Sequence, residues 1–585
     1  MKHYLLIILI LSSLNALSQI EKKYDKSSDK LPNWAKLMYA DEPNVGNVIE
    51  EYENYYKTNS FNKNKHTQYY KRWIRSFSRE TIEVKISNNK SSNNWEGIGP
   101  WDFDINAESR SYAPGAAHLY TVEQSKSNNN VLYAGAATAG AWRSNNKGNN
   151  WFHITKDFHL SSVYAIEIDF QDEDIIYISG NGGLHKSIDG GINWNSVGGS
   201  NFNSQSHSIK DIKMHSLNNQ IIFVASNKGL YKSIDGGITL NEIMSGDFQE
   251  IEFHPSSPDT MYFIKQDANF TEFYRSNDNG DNLTLFTNGW PSPSANDEQK
   301  RTEIAVSSAA PNKIVALATG SANGGSGLYG IYISYDKGEN WTFRCCGSQP
   351  AGVPSANNIN MMGWQPSGLD DGGQYYYDLA LAVNPNDANI IHVGGVNHWI
   401  SFDDGQTFSC PAKWSEPHKK GYVHADIHDI NYFGNDLWFA CDGGVFYSDN
   451  FGDSIYKKMY GIEGTDFWGF GAGFKDGDVM LGGTYHNGTL LKDNNTYIND
   501  WLCTDGGDNY RGFVNFGNPR IAYSDYGGKN LSGDRNIPIA SFSIEKKPNA
   551  SYIIGQSSQI EFDPRCYNWM YSGNDTTLWL SKNNF

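Results

Sequence analysis

Short stretches that alternate apolar and polar residues follow one another from about position 94 to the end of the chain, and they predict β-strands rather than helices. Residues 163–170, with the sequence VYAIEIDF, are one example, and an Asp-containing turn joins them to residues 175–179, IIYIS. A glycine turn and another short strand come next. The pattern predicts successive antiparallel hairpins, as in an all-β protein.

A turn of eight residues with the pattern S-x-D-x-G-x-x-W recurs between these hairpins. Residues 187–194 and 334–341 match it fully, and five weaker copies keep its serine and its glycine. The copies begin at Ser144, Ser187, Ser233, Ser276, Ser334, Ser401 and Ser448. Most intervals suit a four-stranded propeller blade of roughly 40 to 50 residues, and the longer intervals 276–334 and 334–401 indicate insertions.

The acids of this turn have a local structural explanation. A turn aspartate accepts hydrogen bonds from nearby backbone N–H groups, the glycine adopts a positive φ, and the final apolar residue packs inward. We therefore interpret the acids of the repeat as residues that hold hairpins and not as a catalytic set. They are Asp189, Asp235, Asp278, Asp336 and Asp403.

These residues resemble the Asp-box, or BNR, repeat. The chain is similar to the β-propeller superfamily that contains sialidases, family 74 glycoside hydrolases and sortilin-type receptors. Residues 423–429, VHADIHD, followed by Asp442-Gly-Gly444, also resemble secreted propeller proteins of Bacteroidetes-type bacteria that are exported by a type IX system. The resemblance implies the fold more than the activity, because the superfamily includes both enzymes and binding proteins.

The repeats predict how the chain is divided. Seven clear copies predict a seven-bladed β-propeller over residues 94–461. Weaker copies at 491–495, 523–527 and 580–584 indicate further blades in residues 462–585, either as a second, incomplete ring or as part of a single ten-bladed ring. Residues 19–93 have apolar and aromatic residues at helical spacing and predict a short helical segment.

The first residues predict export. Lys2 and His3 precede an apolar run over 4–11 and small residues over 12–18, which is typical of a signal peptide at 1–18 with a mature chain that begins at Gln19. We therefore expect a secreted or cell-surface protein. The run over 4–11 is too short to cross a bilayer, and no longer apolar run follows it, so no transmembrane segment is predicted.

Charge and cysteine content narrow the function classes further. The chain has 65 Asp and Glu residues against 47 Lys and Arg, a formal charge of -18, which disfavours nucleic acid as a partner. We interpret the six cysteines as structural, and the sequence does not determine which of them form disulfides. The sequence predicts no cofactor, and it leaves the oligomeric state open.

Two clusters outside the repeat are candidate sites. His424, Asp426 and His428 alternate along an expected strand, so their side chains would share one face and could bind a divalent metal; the alternative is a hydrogen-bonded polar edge of the channel. Asp370, Asp371 and Asp378 surround the tyrosines at 375–377. Acids beside aromatic rings are typical of a carbohydrate site, and the alternative is an insertion loop followed by a strand.

A third polar cluster has no assigned purpose. It contains Asp505 and Asp508 with Tyr510 and Arg511, and it comes after the glycine-rich residues 482–488.

The resemblance also tests the enzyme hypothesis. Residues 133–143 resemble the first blade of family 74 hydrolases, but Ala137 occupies the position of that family's catalytic aspartate. The Arg-Ile-Pro element of sialidases and a Ser-His-Asp signature are not found either. We therefore predict a non-catalytic binding protein that recognises glycan or protein at the propeller face. The alternative is a glycoside hydrolase that acts on polysaccharide through Asp370, Asp371 or Asp378.

Overall fold

The computed structural model describes residues 30–40, 43–80, 97–103, 113–474, 476–493, 501–525, 527–532, 539–542, 559–563, 566–573 and 578–582. The predicted signal peptide lies outside these residues and stays a prediction. The chain forms two compact units. One contains Met1–Trp95, Asn515–Pro519 and Ile544–Phe585, and the other contains Glu96–Val514 and Arg520–Ser543. This division differs from the predicted segments, because the chain is not divided at residue 461 and the last strands group with the N-terminal helices.

The smaller unit contains the predicted N-terminal helices. They are α1 (Asn33–Met38), α2 (Val45–Thr58) and α3 (Lys65–Glu80). The side chain of Asn44 caps α2 by accepting a hydrogen bond from the Asn47 backbone N–H at 3.0 Å. Aromatic rings form the core between the helices: Tyr52 stacks on Tyr70 at 3.9 Å between centroids, and the edge of Trp34 packs against both. The same unit contains a three-stranded sheet of β36 (Gln559–Asp563), β37 (Cys566–Gly573) and β38 (Leu578–Ser581).

The larger unit consists of antiparallel sheets whose strands follow chain order. The first four sheets are β1 (Leu119–Gln124), β2 (Leu132–Ala136), β3 (Ala141–Ser144) and β4 (Phe152–His153); β5 (Ile166–Ile168), β6 (Ile176–Gly180), β7 (Gly183–Ser187) and β8 (Asn195–Val197); β9 (Ile209–Met214), β10 (Ile222–Ser226), β11 (Gly229–Ser233) and β12 (Asn241–Ser245); and β13 (Asp247–Phe253), β14 (Met261–Gln266), β15 (Thr271–Ser276) and β16 (Thr284–Phe286). A short helix, α4 (Gly199–Asn203), separates β8 from β9.

Five more sheets of the larger unit come next along the chain. They are β17 (Glu298–Val306), β18 (Ile314–Ala322), β19 (Gly325–Ser334) and β20 (Thr342–Cys345); β21 (Ala380–Val383), β22 (Ile391–Gly394) and β23 (His398–Ser401); β24 (Ile427–Phe433), β25 (Asp436–Cys441), β26 (Gly444–Ser448) and β27 (Tyr456–Lys457); β28 (Phe467–Ala472), β29 (Val479–Thr484), β30 (Thr489–Asp493) and β31 (Trp501–Asp505); and β32 (Gly512–Val514), β33 (Ile521–Ser524), β34 (Gly527–Asn530) and β35 (Ala540–Phe542).

The first strands of the sheets line up side by side around an axis. The first strand of each sheet contacts the first strand of the next sheet from β1 through β5, β9, β13, β17 and β21 to β24, and β24 contacts β1. Across this last junction, the hydroxyl of Thr121 on β1 donates a hydrogen bond of 2.8 Å to the carboxylate of Asp429 on β24. These contacts close a circle of sheets, so the predicted all-β propeller fold is confirmed. The sheets β28–β31 and β32–β35 pack on each other in the same unit.

The repeated turn begins where the third strand of a sheet ends. In all seven copies, the serine is the last residue of that strand and its Oγ accepts a hydrogen bond of 2.8–2.9 Å from the glycine N–H. The seven glycines have φ between 73° and 91°, which favours glycine. In the second copy, Asp189 Oδ1 accepts from the Asn193 backbone N–H at 2.8 Å and from the Ser187 hydroxyl at 2.9 Å. The aspartates of the repeated turn therefore accept hydrogen bonds from donors within the same turn.

Two further features of the described residues bear on the sequence predictions. No helix among them is long and apolar enough to cross a membrane. Cys345 and Cys346 form a disulfide between neighbouring residues, whereas Cys410 and Cys441 are free thiols.

Candidate functional site

Polar side chains from several sheets meet at one end of the ring. His118 directly precedes β1, Tyr377 lies shortly before β21, and His428 is near the start of β24. Asp442 lies in the turn between β25 and β26, and His486 lies in the turn between β29 and β30. The start of a first strand and the turn between the second and third strands lie at the same end of an antiparallel sheet. This topology brings the five side chains together.

Asp442 is the centre of this cluster, and its side chain is fully buried. Its Oδ1 lies 2.7 Å from His428 Nε2 and 3.1 Å from His118 Nε2, and its Oδ2 lies 2.8 Å from His486 Nδ1. Burial alone would raise the pKa of this carboxyl group. The charges and hydrogen bonds of His118 and His428 outweigh burial and hold the pKa of Asp442 well below its usual value, so the carboxylate is ionised.

His118 lies between two carboxylates. Its Nδ1 is 2.9 Å from Asp466 Oδ2, and its Nε2 faces Asp442. Burial lowers the pKa of His118, but Asp442 and Asp466 together raise it to about 9. Each ring nitrogen therefore faces a carboxyl group.

The hydroxyl of Tyr377 lies against the same groups. Its oxygen is 3.0 Å from His118 Nε2, 3.2 Å from His486 Nε2 and 3.0 Å from Asp442 Oδ2. Burial and the charge of Asp442 raise the pKa of Tyr377, so the phenol keeps its proton. It can donate this proton to one neighbour at a time.

Two more carboxyl groups are buried beside Asp442. Asp378 is 1% exposed, and neither of its carboxyl oxygens has a hydrogen-bond partner among the described residues. Asp426 Oδ1 accepts a hydrogen bond of 2.9 Å from the Gln374 side-chain amide. Burial and the charge of Asp442 raise the pKa of both groups well above the usual range. The site thus combines an ionised carboxylate with two carboxyl groups that resist ionisation.

A cavity of about 370 Å³ opens above this cluster. Aromatic side chains and polar side chains both line it. The aromatic residues include Trp364, Tyr376, Trp414 and Tyr485, and the polar residues include Gln374, Asp426, His486 and Asp508. Trp364 is 41% exposed and Tyr376 is 75% exposed, so a ligand can reach their rings.

A second cavity, of about 400 Å³, lies along the first strands of the ring, and Tyr376 and Tyr377 line both cavities. Its walls are rich in carboxylates and also contain three cationic side chains. The acids are Glu123, Asp211, Glu250, Glu252, Glu303 and Asp429, and the cations are Lys210, Lys213 and Arg301.

The structure separates the three acids suggested for catalysis. Asp370 accepts hydrogen bonds from the backbone N–H groups of Trp364, at 2.6 Å, and of Gln365. Asp371 Oδ1 accepts from the Ser326 backbone N–H at 2.7 Å. Both acids fix the insertion loop, and neither lines the cavity above Asp442. Asp378 alone is buried beside that cluster.

The three residues suggested as metal ligands do not share one strand face, so the predicted common face is wrong, whereas their binding of a metal stays a prediction. The strand begins only at Ile427, and Asp426 has a left-handed φ of 62°. The Nδ1 and Nε2 of His424 each lie 3.2 Å from a backbone carbonyl oxygen, of Ala425 and Ala113 respectively. Of the three side chains, His428 is the one whose imidazole reaches Asp442.

Sequence reasoning missed His118 as a member of the site. Tyr377, Asp442 and His486 lie within segments that stand out in the sequence, but their meeting was not foreseen. For His118, the one available signal was a histidine directly before the first alternating strand. That signal alone does not identify a site residue, because His118 meets Asp442 and Tyr377 only when the ring closes.

Comparison with known proteins supports the fold. No protein-family model matches the chain, and no curated protein sequence matches it. An ancestral GH74 enzyme of known structure is 14% identical, with a TM-score of 0.54 over 83% of this chain and 69% of that chain. The GH74 xyloglucanase from Xanthomonas campestris is 12% identical, with a TM-score of 0.48 over 81% of this chain and 80% of that chain.

A further similar structure is YCF48 from Cyanidioschyzon merolae, which is 14% identical, with a TM-score of 0.40 over 57% of this chain and 95% of that chain. At these identities the likeness concerns the fold alone. The likeness to the ancestral GH74 enzyme and the seven repeated turns agree on a β-propeller fold.

Proposed function

We propose that this protein is a secreted or cell-surface propeller that binds carbohydrate in the cavity above Asp442. The observation that carries the proposal is the combination of exposed aromatic rings and polar groups in a concave site of about 370 Å³. Small-ligand sites are concave and mostly apolar, with a few polar groups that fix orientation.

The aromatic side chains suit the apolar faces of sugar rings. Trp364 and Tyr376 are exposed on the cavity wall, and the Trp414 indole N–H donates to the Trp364 backbone carbonyl at 3.2 Å, which links the two tryptophans. Tyr485 stacks on the half-exposed Trp468 at 4.6 Å between centroids. Rings held in this way offer large, rigid contact area to a ligand.

The polar lining suits sugar hydroxyl groups. Asp508 is partly exposed, and its Oδ1 accepts from the His486 backbone N–H at 3.0 Å, which holds the carboxylate at the rim. Asp426 and Gln374 face the same cavity. Carboxylates accept hydrogen bonds from hydroxyl groups, whereas the formal charge of -18 disfavours polyanionic ligands.

A glycan array followed by calorimetric titration of the full chain tests this function. We expect Trp364→Ala and Tyr376→Ala to weaken binding of the selected glycan at least tenfold, because each removes a stacking surface. Tyr456→Ala is the matched control, since Tyr456 is another exposed tyrosine and does not line the cavity. Binding that is unchanged in both cavity variants, or binding to no glycan, contradicts the proposal.

A second candidate function is hydrolysis of a glycosidic bond in the same cavity. The observation that favours it is the presence of two carboxyl groups, Asp426 and Asp508, in the lining. Glycosidases use two such groups, one as an acid and one as a base or nucleophile. The test is turnover of β-glucans, xyloglucan and sialosides by the wild type and by Asp426→Asn. Turnover that this substitution abolishes establishes an enzyme, and glycan binding without turnover leaves the binding function alone.

A further inference from the structure

We propose that His118, Asp442 and His486 bind a divalent first-row transition-metal ion of the zinc type. One potential ligand atom from each of these side chains lies within 4.8 Å of the other two. Two imidazoles and one carboxylate are ligands that zinc and its neighbours accept, and three protein ligands leave a position open for water or substrate.

The hydrogen-bond pattern of His118 supports a cation at its Nε2. Its Nδ1 lies 2.9 Å from Asp466, so a neutral ring donates its single proton there. Its Nε2 then carries a lone pair, and 3.1 Å away stands Asp442 Oδ1, which is also an acceptor. Two acceptors at this distance need a proton or a metal ion between them. His118 holds that proton in the metal-free protein, and a divalent ion would replace it.

Asp466 matches the outer partner that metal-bound histidines usually have. Such a histidine commonly donates its other N–H to a carboxylate, which fixes the ring orientation and makes the imidazole a better ligand. Asp466 is itself held, since its Oδ1 accepts from the Thr138 hydroxyl. Asp466 and Asp442 therefore stand on either side of His118 as a supporting carboxylate and a second ligand would.

The buried carboxyl groups are a second, independent observation. Asp378 is 1% exposed and has no hydrogen-bond partner among the described residues, and Asp426 is also buried near Asp442. A buried polar group without a hydrogen-bond partner costs free energy whether or not it is ionised, and a nearby cation offsets that cost. A divalent ion at Asp442 would lower that cost for the whole cluster.

The distances between the potential ligand atoms are close to those around an ion of this class. In a tetrahedral site, bonds of about 2.0 to 2.1 Å place neighbouring ligand atoms roughly 3.3 Å apart. Asp442 Oδ2 lies 2.8 Å from His486 Nδ1, and Asp442 Oδ1 lies 3.1 Å from His118 Nε2, so binding of an ion would need these side chains to move apart slightly. Nitrogen ligands favour zinc-type ions over Ca²⁺ and Mg²⁺, which prefer oxygen.

The test measures metal content and does not depend on carbohydrate binding. The full chain is treated with chelator, dialysed against Zn²⁺ and analysed for bound zinc, and its affinities for Zn²⁺ and Ca²⁺ are measured by competition with a chromogenic chelator. We expect one zinc per chain and a preference for Zn²⁺. His118→Gln and His486→Gln should lose at least tenfold in affinity, and Asp466→Asn about 10- to 100-fold.

His424→Gln is the matched control, because this buried histidine is directed at backbone carbonyls and should keep one zinc per chain. Substoichiometric zinc in the wild type, equal affinity in His118→Gln, or a preference for Ca²⁺ overturns the proposal. If the ligand variants fail to fold, the melting temperature of the chelator-treated wild type decides. A rise on addition of Zn²⁺ supports the site, and the absence of a rise refutes it. A protein that binds zinc but no glycan would refute only the proposed carbohydrate function.

Discussion

The hydroxyl oxygen of Tyr377 lies 3.0 Å from Nε2 of His118, although the two residues are 259 positions apart in the chain. His118 enters the first sheet of the ring, and Tyr377 lies before the sixth. This contact exists because the ring closes, and Asp442 from the seventh sheet contacts both residues. The site therefore depends on the closure of the propeller.

Tyr377→Phe is expected to destabilise the protein by about 2 kcal/mol, because it removes a hydrogen-bond donor from the buried, ionised Asp442. Chemical unfolding of the full chain measures the effect. Tyr262→Phe is the matched control, since Tyr262 is fully buried and its hydroxyl has no hydrogen-bond partner among the described residues. Equal stability of the two variants would show that the Tyr377 hydroxyl does not stabilise the cluster.

Gly338→Ala should lower stability more than Gly372→Ala. The two glycines have similar φ values, 85° and 89°, so the backbone strain of an alanine is similar at both positions. A Cβ on Gly338 would lie 2.2 Å from the ring of Phe273, whereas Gly372 faces open space. The difference in melting temperature isolates the packing of the repeated turn against the neighbouring sheet. A larger loss in Gly372→Ala would contradict this interpretation.

Stability should fall as the solution is acidified below about pH 6.5, because of two buried histidines. His392 and His398 stack in the sixth sheet, with Nδ1 of the first 2.9 Å from Nε2 of the second. Burial lowers the pKa of His392 well below 6.5 and that of His398 to about 3. The unfolded chain therefore binds more protons below pH 6.5, and each histidine costs about 1.4 kcal/mol per pH unit there.

His398→Gln keeps a polar group for His392 and removes one of these titrations. We expect a shallower loss of melting temperature between pH 6.5 and pH 5 than in the wild type. His418→Gln replaces an exposed histidine and should leave the wild-type slope. Identical slopes in all three proteins would mean that the pair does not govern the acid dependence.

Lys213→Met should destabilise the ring more at pH 8 than at pH 5. Burial lowers the pKa of Lys213, but the charges of Asp211 and Glu252 raise it well above its usual value, so the lysine is a cation among carboxylates. Burial raises the pKa of Glu252 from 4.5 to about 7. Since the folded pKa is the higher one, protonation below pH 7 stabilises the fold and relieves the repulsion that the variant creates.

Melting temperatures of the wild type and the variant at both pH values measure this difference. Lys228→Met, which replaces an exposed lysine in a turn, is the control and should show no pH-dependent deficit. A deficit of Lys213→Met that grows toward pH 5 would refute the explanation.

Much of the fold could be predicted because its signals are local. The serine, acid and glycine of each repeated turn bond to one another within five residues, as Ser187 and Gly191 do at 2.9 Å. The alternation of apolar and polar residues predicted the strands, and apolar residues at helical spacing predicted the N-terminal helices. The grouping of residues 544–585 with the N-terminal unit was not predictable, since it depends on distant packing.

The candidate site was predicted only in part for the same reason. Residue type alone identified Asp378, Asp426 and His428 as candidates. Their spacing, however, predicted one strand face for Asp426, His428 and His424, and the structure contradicts that prediction. Asp370 and Asp371 lie beside tyrosines in the sequence, as acids in carbohydrate sites often do. In the structure they instead hold a loop by accepting hydrogen bonds from backbone N–H groups. Composition cannot distinguish an acid that faces a ligand from one that faces its own backbone.

The sequence by itself determined the propeller, because each hairpin and each turn is specified by residues that are neighbours in the chain. Only the tertiary structure decided which side chains meet, since His118, Tyr377, Asp442 and His486 come from four different sheets. Closing the ring removes these side chains from water and places three imidazoles around one carboxylate. Burial and proximity then set their charges, and neither property can be read from the order of residues along a chain.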